Sequence, residues 1–265
     1  MVVDDYSARF SMGLNFRERP LVESHSKKIL VDHLTVTYGE TVALQDISGA
    51  IEPNSLIAIF GPNGGGKSTF VKVLASLIKP TKGSITHHCQ STCQPAYLPQ
   101  QSTMHRSFPI TVREVVAMGL WHTVGAFKSL TKTHQSLIDQ ALERVGLQDY
   151  DSRLIETLSG GQFQRMLFAR VILEDSSLII LDEPFTAIDI HTSQTLLALI
   201  QEWHQKGKTI LVVLHDLEMA RKYFPETILL SKHCLGWGPT SKILTDKNIM
   251  SSYHAEKIDC KVCHA

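Results

Sequence analysis

The sequence lacks the features of a secreted, membrane-spanning or nucleic-acid-binding protein. Five cysteines, an odd number, do not form the paired set of a disulfide framework. No apolar run approaches the roughly 18 residues that suggest a membrane span, and the charged N-terminus has no apolar core of the signal-peptide type. Basic and acidic residues balance at 26 each, so no basic excess favours nucleic acid. We therefore expect a cytoplasmic chain whose 265 residues form one sizeable domain or one domain with an inserted subdomain.

A glycine-rich stretch fits the pattern G-x-x-x-x-G-K-[ST] of phosphate-binding loops. It consists of Gly61, Pro62, Asn63, Gly64, Gly65, Gly66, Lys67, Ser68 and Thr69. An apolar run at 56–60 predicts a strand before it, and residues 69–77 predict a helix after it. The glycines let backbone N–H groups turn towards a ligand, and the helix N-terminus adds partial positive charge. We expect Lys67 to reach the β- and γ-phosphates and Ser68 to offer its hydroxyl to Mg²⁺.

Polar residues also follow three predicted strands. Gln100 ends the short strand at 96–100, although Gln101 is a competing candidate. Asp182 and Glu183 end the apolar run at 178–181, and His215 closes the strand at 208–214. Open α/β sheets bind ligands at the carboxyl ends of their strands, so we expect these residues at one edge. Side-chain alternation gives Asp182 the Mg²⁺ shell and lets Glu183 face an attacking water, unless the pair is only an acidic strand end.

A second anion-binding helix start is predicted at Leu158-Ser159-Gly160-Gly161-Gln162, ahead of a helix-like run at 163–173. One nucleotide in a monomer would not need two such sites. Tyr38 follows a predicted strand at 29–36, where its ring could stack on a base or be an ordinary edge aromatic. The helical region between the two halves carries exposed apolar candidates for a partner-binding surface. These candidates are Phe108, Pro109, Met118 and Trp121.

Taken in chain order, these motifs resemble the ATP-binding cassette of ABC transporters over about residues 29–232. The sequence Leu-Ser-Gly-Gly-Gln at 158–162 is highly specific to that family. The resemblance implies an α/β fold of the P-loop NTPase type, with a RecA-like core carrying a parallel sheet. It also implies an antiparallel β subdomain and an inserted α-helical signature subdomain. We expect an extension at 1–28, the ATPase domain at 29–235 with the helical subdomain at about 102–165, and a tail at 236–265.

By position, the resemblance implies a role for each motif. Tyr38 would stack on the base, and Gln100 would sense the γ-phosphate and ligate Mg²⁺ together with Ser68 and Asp182. Glu183 would be the general base and His215 the switch histidine. A head-to-tail homodimer would bind two ATP molecules at its interface. Each would lie between the glycine-rich loop of one protomer and the signature of the other, the signature being the sequence Leu-Ser-Gly-Gly-Gln at 158–162. The remaining nucleotide-binding residues would be Ser159, Gly160, Gly161, Gln162 and Asp189.

The compact single cassette most resembles the ATPase subunits of zinc and manganese importers, so ATP hydrolysis would drive metal import. Such a subunit is expected at the cytoplasmic face of the cell membrane, with a separate permease and, indirectly, a substrate-binding protein. Uptake of a siderophore, haem or cobalamin is the alternative cargo. Cassette proteins of DNA repair or translation form a different class. They usually carry two cassettes or a long coiled coil, which this chain lacks, and we expect no nucleic-acid partner.

Two clusters of histidine and cysteine invite a metal interpretation without matching a standard zinc pattern. The first comprises His87, His88, Cys89, Cys93 and His105. The second, in the tail, is Cys260-Lys261-Val262-Cys263-His264, with His254 nearby. Its spacing fits haem attachment, but that chemistry occurs on exported proteins. A regulatory metal site and an inert tail are the other interpretations.

Overall fold

The computed structural model describes residues 28–87, 94–100, 105–125 and 129–253, which form two compact units. The sheet unit contains residues 28–87, 94–100, 176–186 and 198–253. The helical unit contains residues 105–125, 129–175 and 187–197. Within these ranges, no helix has both the length and the apolar character that crossing a bilayer requires.

Two sheets make up most of the sheet unit. In chain order the strands are β1 (Ile29–Tyr38), β2 (Thr41–Ile51), β3 (Leu56–Phe60), β4 (Lys82–His87), β5 (Ala96–Leu98), β6 (Leu178–Asp182), β7 (Thr209–Val213), β8 (Glu226–Ser231) and β9 (His233–Pro239). An antiparallel sheet has the order β2-β1-β4, and a mixed sheet has the order β5-β6-β7-β3-β8-β9. The parallel core and the antiparallel β subdomain of the predicted fold class are thereby confirmed.

The central strands of the mixed sheet are continuous apolar runs because helices and loops cover both faces. Every residue of β3, β6 and β7 is buried. These strands and β5 pair in parallel, so their carboxyl ends meet at one edge. That edge carries the glycine-rich loop after β3, the acidic pair at the end of β6, His215 after β7 and Gln100 after β5.

Residues 236–253 continue the sheet unit. The predicted boundary there falls inside β9, whose Trp237 lies edge-on to Phe70 with ring centroids 6.2 Å apart. A Cβ added at Gly49 of β2 would come within 2.5 Å of the same indole, so the two sheets are in close contact at this point. The short helix α8 (Thr240–Ile243) follows, and residues 246–253 are helical. Ser252 is fully buried, and its carbonyl accepts a hydrogen bond from Ser231 Oγ at 3.0 Å.

The remaining helices of the chain are, in order, α1 (Lys67–Leu74), α2 (Val112–Ala117), α3 (Trp121–Val124), α4 (Lys132–Arg144), α5 (Gly160–Glu174), α6 (Ile190–Gln205) and α7 (Leu217–Tyr223). The helix predicted after the glycine-rich loop starts earlier and ends earlier than expected. Ser76 lies just beyond α1 with a positive φ, which ends the helix before residue 77.

In the helical unit, α2, α4 and α5 pack on one another. Thr111 caps α2 through a capping box with Glu114. A 3-10 turn at Met118–Leu120 follows α2 and ends the helix there. Gly119 lies so close to α5 that an added Cβ would be 2.4 Å from the Arg170 carbonyl. Arg113 joins α2 to α4 through Asp139 at 2.7 Å.

Candidate active site

The glycine-rich loop between β3 and α1 has a backbone that only glycine can adopt at two positions. Gly61 has φ 148°, and a Cβ there would lie 1.9 Å from the Leu230 carbonyl oxygen. Gly66 caps α1 with φ 87°, and a Cβ there would be 2.5 Å from the Ala43 carbonyl oxygen. The Lys232 N–H donates to the Gly65 carbonyl at 2.9 Å, which holds the loop from outside. The loop is therefore fixed by its neighbours in a left-handed, closely packed conformation.

Lys67 folds back over this loop. Its Nζ donates to the carbonyl oxygens of Gly61 at 3.0 Å and Pro62 at 2.8 Å, and the residue is 5% exposed. A buried ammonium is costly unless it is paired with hydrogen-bond acceptors, and these carbonyls provide them. The cation is thus held inside the loop, at the N-terminus of α1, where an anion is also favoured.

Asp182 receives a hydroxyl on each carboxylate oxygen. Ser68 Oγ donates to Oδ1 at 3.2 Å, and the Tyr97 hydroxyl donates to Oδ2 at 3.3 Å. Burial raises the pKa of Asp182, the Ser68 hydrogen bond opposes that shift, and nearby Glu183 adds to it. Burial and the charge of Asp182 likewise raise the pKa of Tyr97. Adjacent carboxylate and hydroxyl oxygens are the ligand types that Mg²⁺ prefers, so Ser68 and Asp182 fit this ion.

Glu183 has a close partner on each of its carboxylate oxygens. Its Oε1 lies 2.6 Å from His215 Nε2, and its Oε2 accepts a hydrogen bond from Gln100 Nε2 at 2.6 Å. Thr186 Oγ1 is a longer contact at 3.5 Å. Glu183 lies just beyond the end of β6 and has φ 53°, a strained value for a non-glycine residue. Gln100, Glu183 and His215, which follow three different strands, thus form one hydrogen-bonded group.

The signature residues start α5 in the helical unit. Ser159 Oγ accepts from the Gln162 N–H at 3.2 Å, and Gln162 Oε1 accepts from the Ser159 N–H at 2.9 Å. This capping box leaves Gly160 and Gly161 in the first turn, where the helix dipole is positive. Ser159 is exposed, so the start of α5 is accessible on the surface of its unit. Arg106 adds a cation nearby, 4.2 Å above the Phe163 ring.

Asp189 lies in the helical unit as well and caps α6. Its Oδ1 accepts from the Thr192 N–H at 2.8 Å, and its Oδ2 from the Thr192 hydroxyl at 2.7 Å. The Thr192 N–H is the main cause that lowers the pKa of Asp189. A Cβ added at Gly161 would be 3.5 Å from Asp189 Oδ2, so α5 and α6 begin side by side.

The other predicted residues fall as follows. Tyr38 is the last residue of β1 and is 51% exposed. Asn63 and Gly64 are exposed at the tip of the loop, whereas Thr69 lies within α1. The competing Gln101 lies outside the described residues, as do most members of the histidine and cysteine clusters. Among the described residues, no group of three or more histidine, cysteine, aspartate or glutamate side chains could hold a metal ion.

Sequence reasoning missed Tyr97, Thr186 and Thr192, which contact Asp182, Glu183 and Asp189 respectively. Thr192 stands three residues after Asp189, a spacing that could have suggested a helix cap. Tyr97 could not be found in this way. Its contact depends on how β5 and β6 align, and no local pattern gives that register.

Comparison with known proteins gives the family of this chain. The family model described as ABC transporter matches residues 44–186. The manganese transport system ATP-binding protein MntB of Halalkalibacterium halodurans is 38% identical, and the match covers 85% of this chain and 91% of that protein. A solved transporter described as of the metal-chelate type, in an inward-facing conformation, is 28% identical with a TM-score of 0.76, covering 86% of this chain and 90% of its own.

A bacterial ABC transporter cassette solved as a dimer is 25% identical with a TM-score of 0.70. That match covers 80% of this chain and 98% of the cassette. The family model spans more than half of this sequence, and the relatives align over most of it. This chain belongs to the ABC transporter family.

Proposed function

We propose that this chain is the ATP-hydrolysing subunit of a metal importer and that manganese is its cargo. The observation that carries the proposal is the hydrogen-bonded group of Glu183, His215 and Gln100 beside the loop that holds Lys67. An acidic pair at a strand end is common, but here both oxygens of Glu183 have partners drawn from other strand ends. The name of the MntB relative supports manganese over zinc as the cargo.

The residues divide the reaction between them. Lys67 and the amides of the loop bind the β- and γ-phosphates, and Tyr38 stacks on the base. Glu183 takes the proton from the attacking water on a lone pair that its contacts with His215 and Gln100 leave available. Gln100 is the partner that moves to the γ-phosphate, while His215 keeps the carboxylate in place. Mg²⁺ would be held by Ser68, Asp182 and Gln100, where it supplies positive charge to the phosphates.

The signature residues complete the site of a second protomer. Ser159–Gln162 form a surface helix start with a capped, positive N-terminus, as a γ-phosphate requires. Asp189 supports that start through its position beside Gly161. We infer a head-to-tail homodimer with two ATP molecules, and the dimeric cassette at 25% identity supports this arrangement.

A separate permease supplies the membrane passage, and the chain acts at its cytoplasmic face. The helical unit offers Phe108 and Trp121 as an apolar contact surface, since these side chains are 64% and 61% exposed. Met118, predicted as part of the same surface, is half-buried and contributes less to it. A substrate-binding protein would deliver the metal to the permease without touching this chain.

Uptake by living cells tests the cargo. Cells lacking the gene should lose most of their uptake of radioactive manganese, and the wild-type chain should restore it. The Glu183→Gln variant should not restore it, because hydrolysis fails while the complex still assembles. Unchanged manganese uptake in the deleted strain, with uptake of radioactive zinc lost instead, would assign the cargo to zinc.

Metal-chelate uptake is the second candidate, favoured by the 28% identical transporter of that type. The same strains would then take up a chelated metal and not the free ion. A soluble function in DNA repair or translation would instead give a tagged chain that purifies with ribosomes or DNA and not with a permease.

A further inference from the structure

We propose that Tyr97 is a positioning residue for the magnesium–nucleotide complex: its hydroxyl fixes the Asp182 carboxylate so that Oδ1 faces Ser68. The inference rests on the proposed function, because it concerns how the same site holds its ion. Tyr97 belongs to none of the motifs by which the site was found. Its contact arises from the alignment of two strands.

The register of β5 and β6 brings the two side chains to one face of the sheet. Tyr97 pairs with Ile180, so both point to the same side. Asp182 is two residues beyond Ile180 and therefore shares that side. The tyrosine needs only to lean along the strand direction to reach the carboxylate, and its hydroxyl lies 3.3 Å from Oδ2.

Asp182 needs such a partner because its own geometry leaves the carboxylate free to rotate. The χ2 torsion of aspartate is broad, so the backbone alone does not fix the plane in which the carboxylate faces the ion. A hydroxyl on Oδ2 removes that freedom and leaves Oδ1 beside Ser68 Oγ at 3.2 Å. Because Asp182 is 1% exposed, bulk water cannot readily take the place of the tyrosine. Partners of this kind, one step from the ion, commonly affect its affinity.

Replacing the hydroxyl alone tests the role. Tyr97→Phe keeps the ring that packs beside β6 and removes the donor to Asp182. The Mg²⁺ concentration that gives half-maximal binding of a fluorescent ATP analogue should rise about tenfold in the purified full-length chain. Binding of the analogue in EDTA should stay unchanged, since the loop that holds the phosphates is untouched. In steady-state assays, the half-saturating Mg²⁺ should rise while kcat at saturating Mg²⁺ changes little.

Tyr223→Phe is the matched control. It also removes one tyrosine hydroxyl, in α7, where the Lys222 ammonium lies 4.9 Å from the ring centroid. Its Mg²⁺ dependence and its thermal midpoint should match those of the wild type. The Asp182→Asn background gives a second test, because adding Tyr97→Phe there should produce no further change in Mg²⁺ dependence.

Each other outcome overturns the inference. Wild-type Mg²⁺ dependence in the Tyr97→Phe variant would mean that the Tyr97 hydroxyl does not position the Asp182 carboxylate. An equal loss of affinity with and without Mg²⁺ means that Tyr97 only supports the fold. A further shift in the Asp182→Asn background means that it acts through another group. Failure of the proposed ATP-hydrolysing role would look different, because the wild type itself would then show no Mg²⁺-dependent binding of the analogue.

Discussion

The charged and polar residues of the site form hydrogen bonds and ion pairs with neighbouring protein groups. Lys67 has two carbonyl acceptors, Asp182 has two hydroxyl donors, and Glu183 lies between His215 and Gln100. Buried charges without partners would destabilise the fold by several kcal/mol, so these contacts are needed for the chain to fold with the residues in place. They also preorganise the groups that the reaction requires.

Glu183→Gln should abolish turnover and leave nucleotide binding intact. The amide keeps the size of the carboxylate and one acceptor oxygen, but it is too weak a base to accept the proton. We expect the rate of phosphate release to fall by about 10²–10⁴ and an ATP-bound dimer to accumulate on a size-exclusion column. Near-normal phosphate release by this variant would remove Glu183 from the role of general base.

At the scale of elements, α2 and α5 begin with the same device. Thr111 with Glu114 and Ser159 with Gln162 each form a capping box. Both caps stabilise a helix of the same unit by a comparable amount. Only the α5 cap belongs to the signature. Comparing variants of the two caps therefore separates an effect on helix stability from an effect on ATP hydrolysis.

Thr111→Ala and Ser159→Ala should each lower the free energy of unfolding by about 1 kcal/mol. Chemical denaturation measures this loss, and phosphate release measures function in the same samples. We expect Thr111→Ala to retain the wild-type rate under conditions where it is folded and Ser159→Ala to lose much of it. Equal rates in the two variants would show that the Ser159 side chain serves only as a cap.

Strand β9 and the helical residues after it are a second structural element that should matter for stability. Truncation after residue 235 removes Trp237 and the carbonyl partner of Ser231, whereas truncation after 253 leaves every contact described here intact. The shorter chain should lose at least about 3 kcal/mol of unfolding free energy, the scale of removing a packed tryptophan. The chain truncated after residue 253 should keep the wild-type denaturation midpoint. A shorter chain as stable as the full one would make these contacts dispensable.

At the scale of the whole molecule, the phosphate-binding loop and the signature belong to different units of the chain. The proposed sharing of a site between protomers would explain why one chain has two anion-binding helix starts. The alternative is that each protomer uses its own signature. Mixed dimers of two inactive variants distinguish the two arrangements.

Lys67→Ala disables the loop, and Ser159→Arg blocks the signature, so each homodimer should be inactive. In a head-to-tail heterodimer of these two variants, one site collects both defects and the other is wild type. Phosphate release should therefore partly return in tagged, purified heterodimers. Each substitution damages a different part of the shared site. The rate of phosphate release therefore depends on which variants are paired in the dimer.

The reciprocal heterodimer supplies the control. A chain with both substitutions, paired with a wild-type chain, gives each shared site one defect and should be inactive. If each protomer used its own signature, the ranking would invert, with the mixed single variants inactive and the double variant retaining one good site. The rank order of the two heterodimers is the measurement that decides between them.

Much of this molecule could be predicted because its signals are local. The strand and helix around residues 61–69 follow from an apolar run, glycines and a lysine in fixed order. The buried strand at 178–182 follows from four consecutive apolar residues before an acidic pair. Gln100, Glu183 and His215 were each chosen as strand-end residues, and the parallel pairing of their strands brought them together.

The remainder depended on contacts between distant segments. The expected boundary between the ATPase domain and the tail, after residue 235, falls inside β9 because its sequence, His-Cys-Leu-Gly-Trp-Gly-Pro, has no clear alternation. This segment is a strand because it pairs with β8 and because Trp237 is covered by Phe70 and Gly49. Met118 was expected on the surface but is half-buried, since the helix is interrupted there.

The sequence by itself determined the chemistry, because loop glycines, a lysine, carboxylates and a capped helix start act through residue type and short spacing. Only the tertiary structure decided which groups hold those residues in place. The strand register gave Asp182 its second hydroxyl from Tyr97, and the close approach of Leu230 and Ala43 made Gly61 and Gly66 indispensable. Such contacts join residues far apart in the chain, and their distances depend on the packing of whole elements that no local pattern contains.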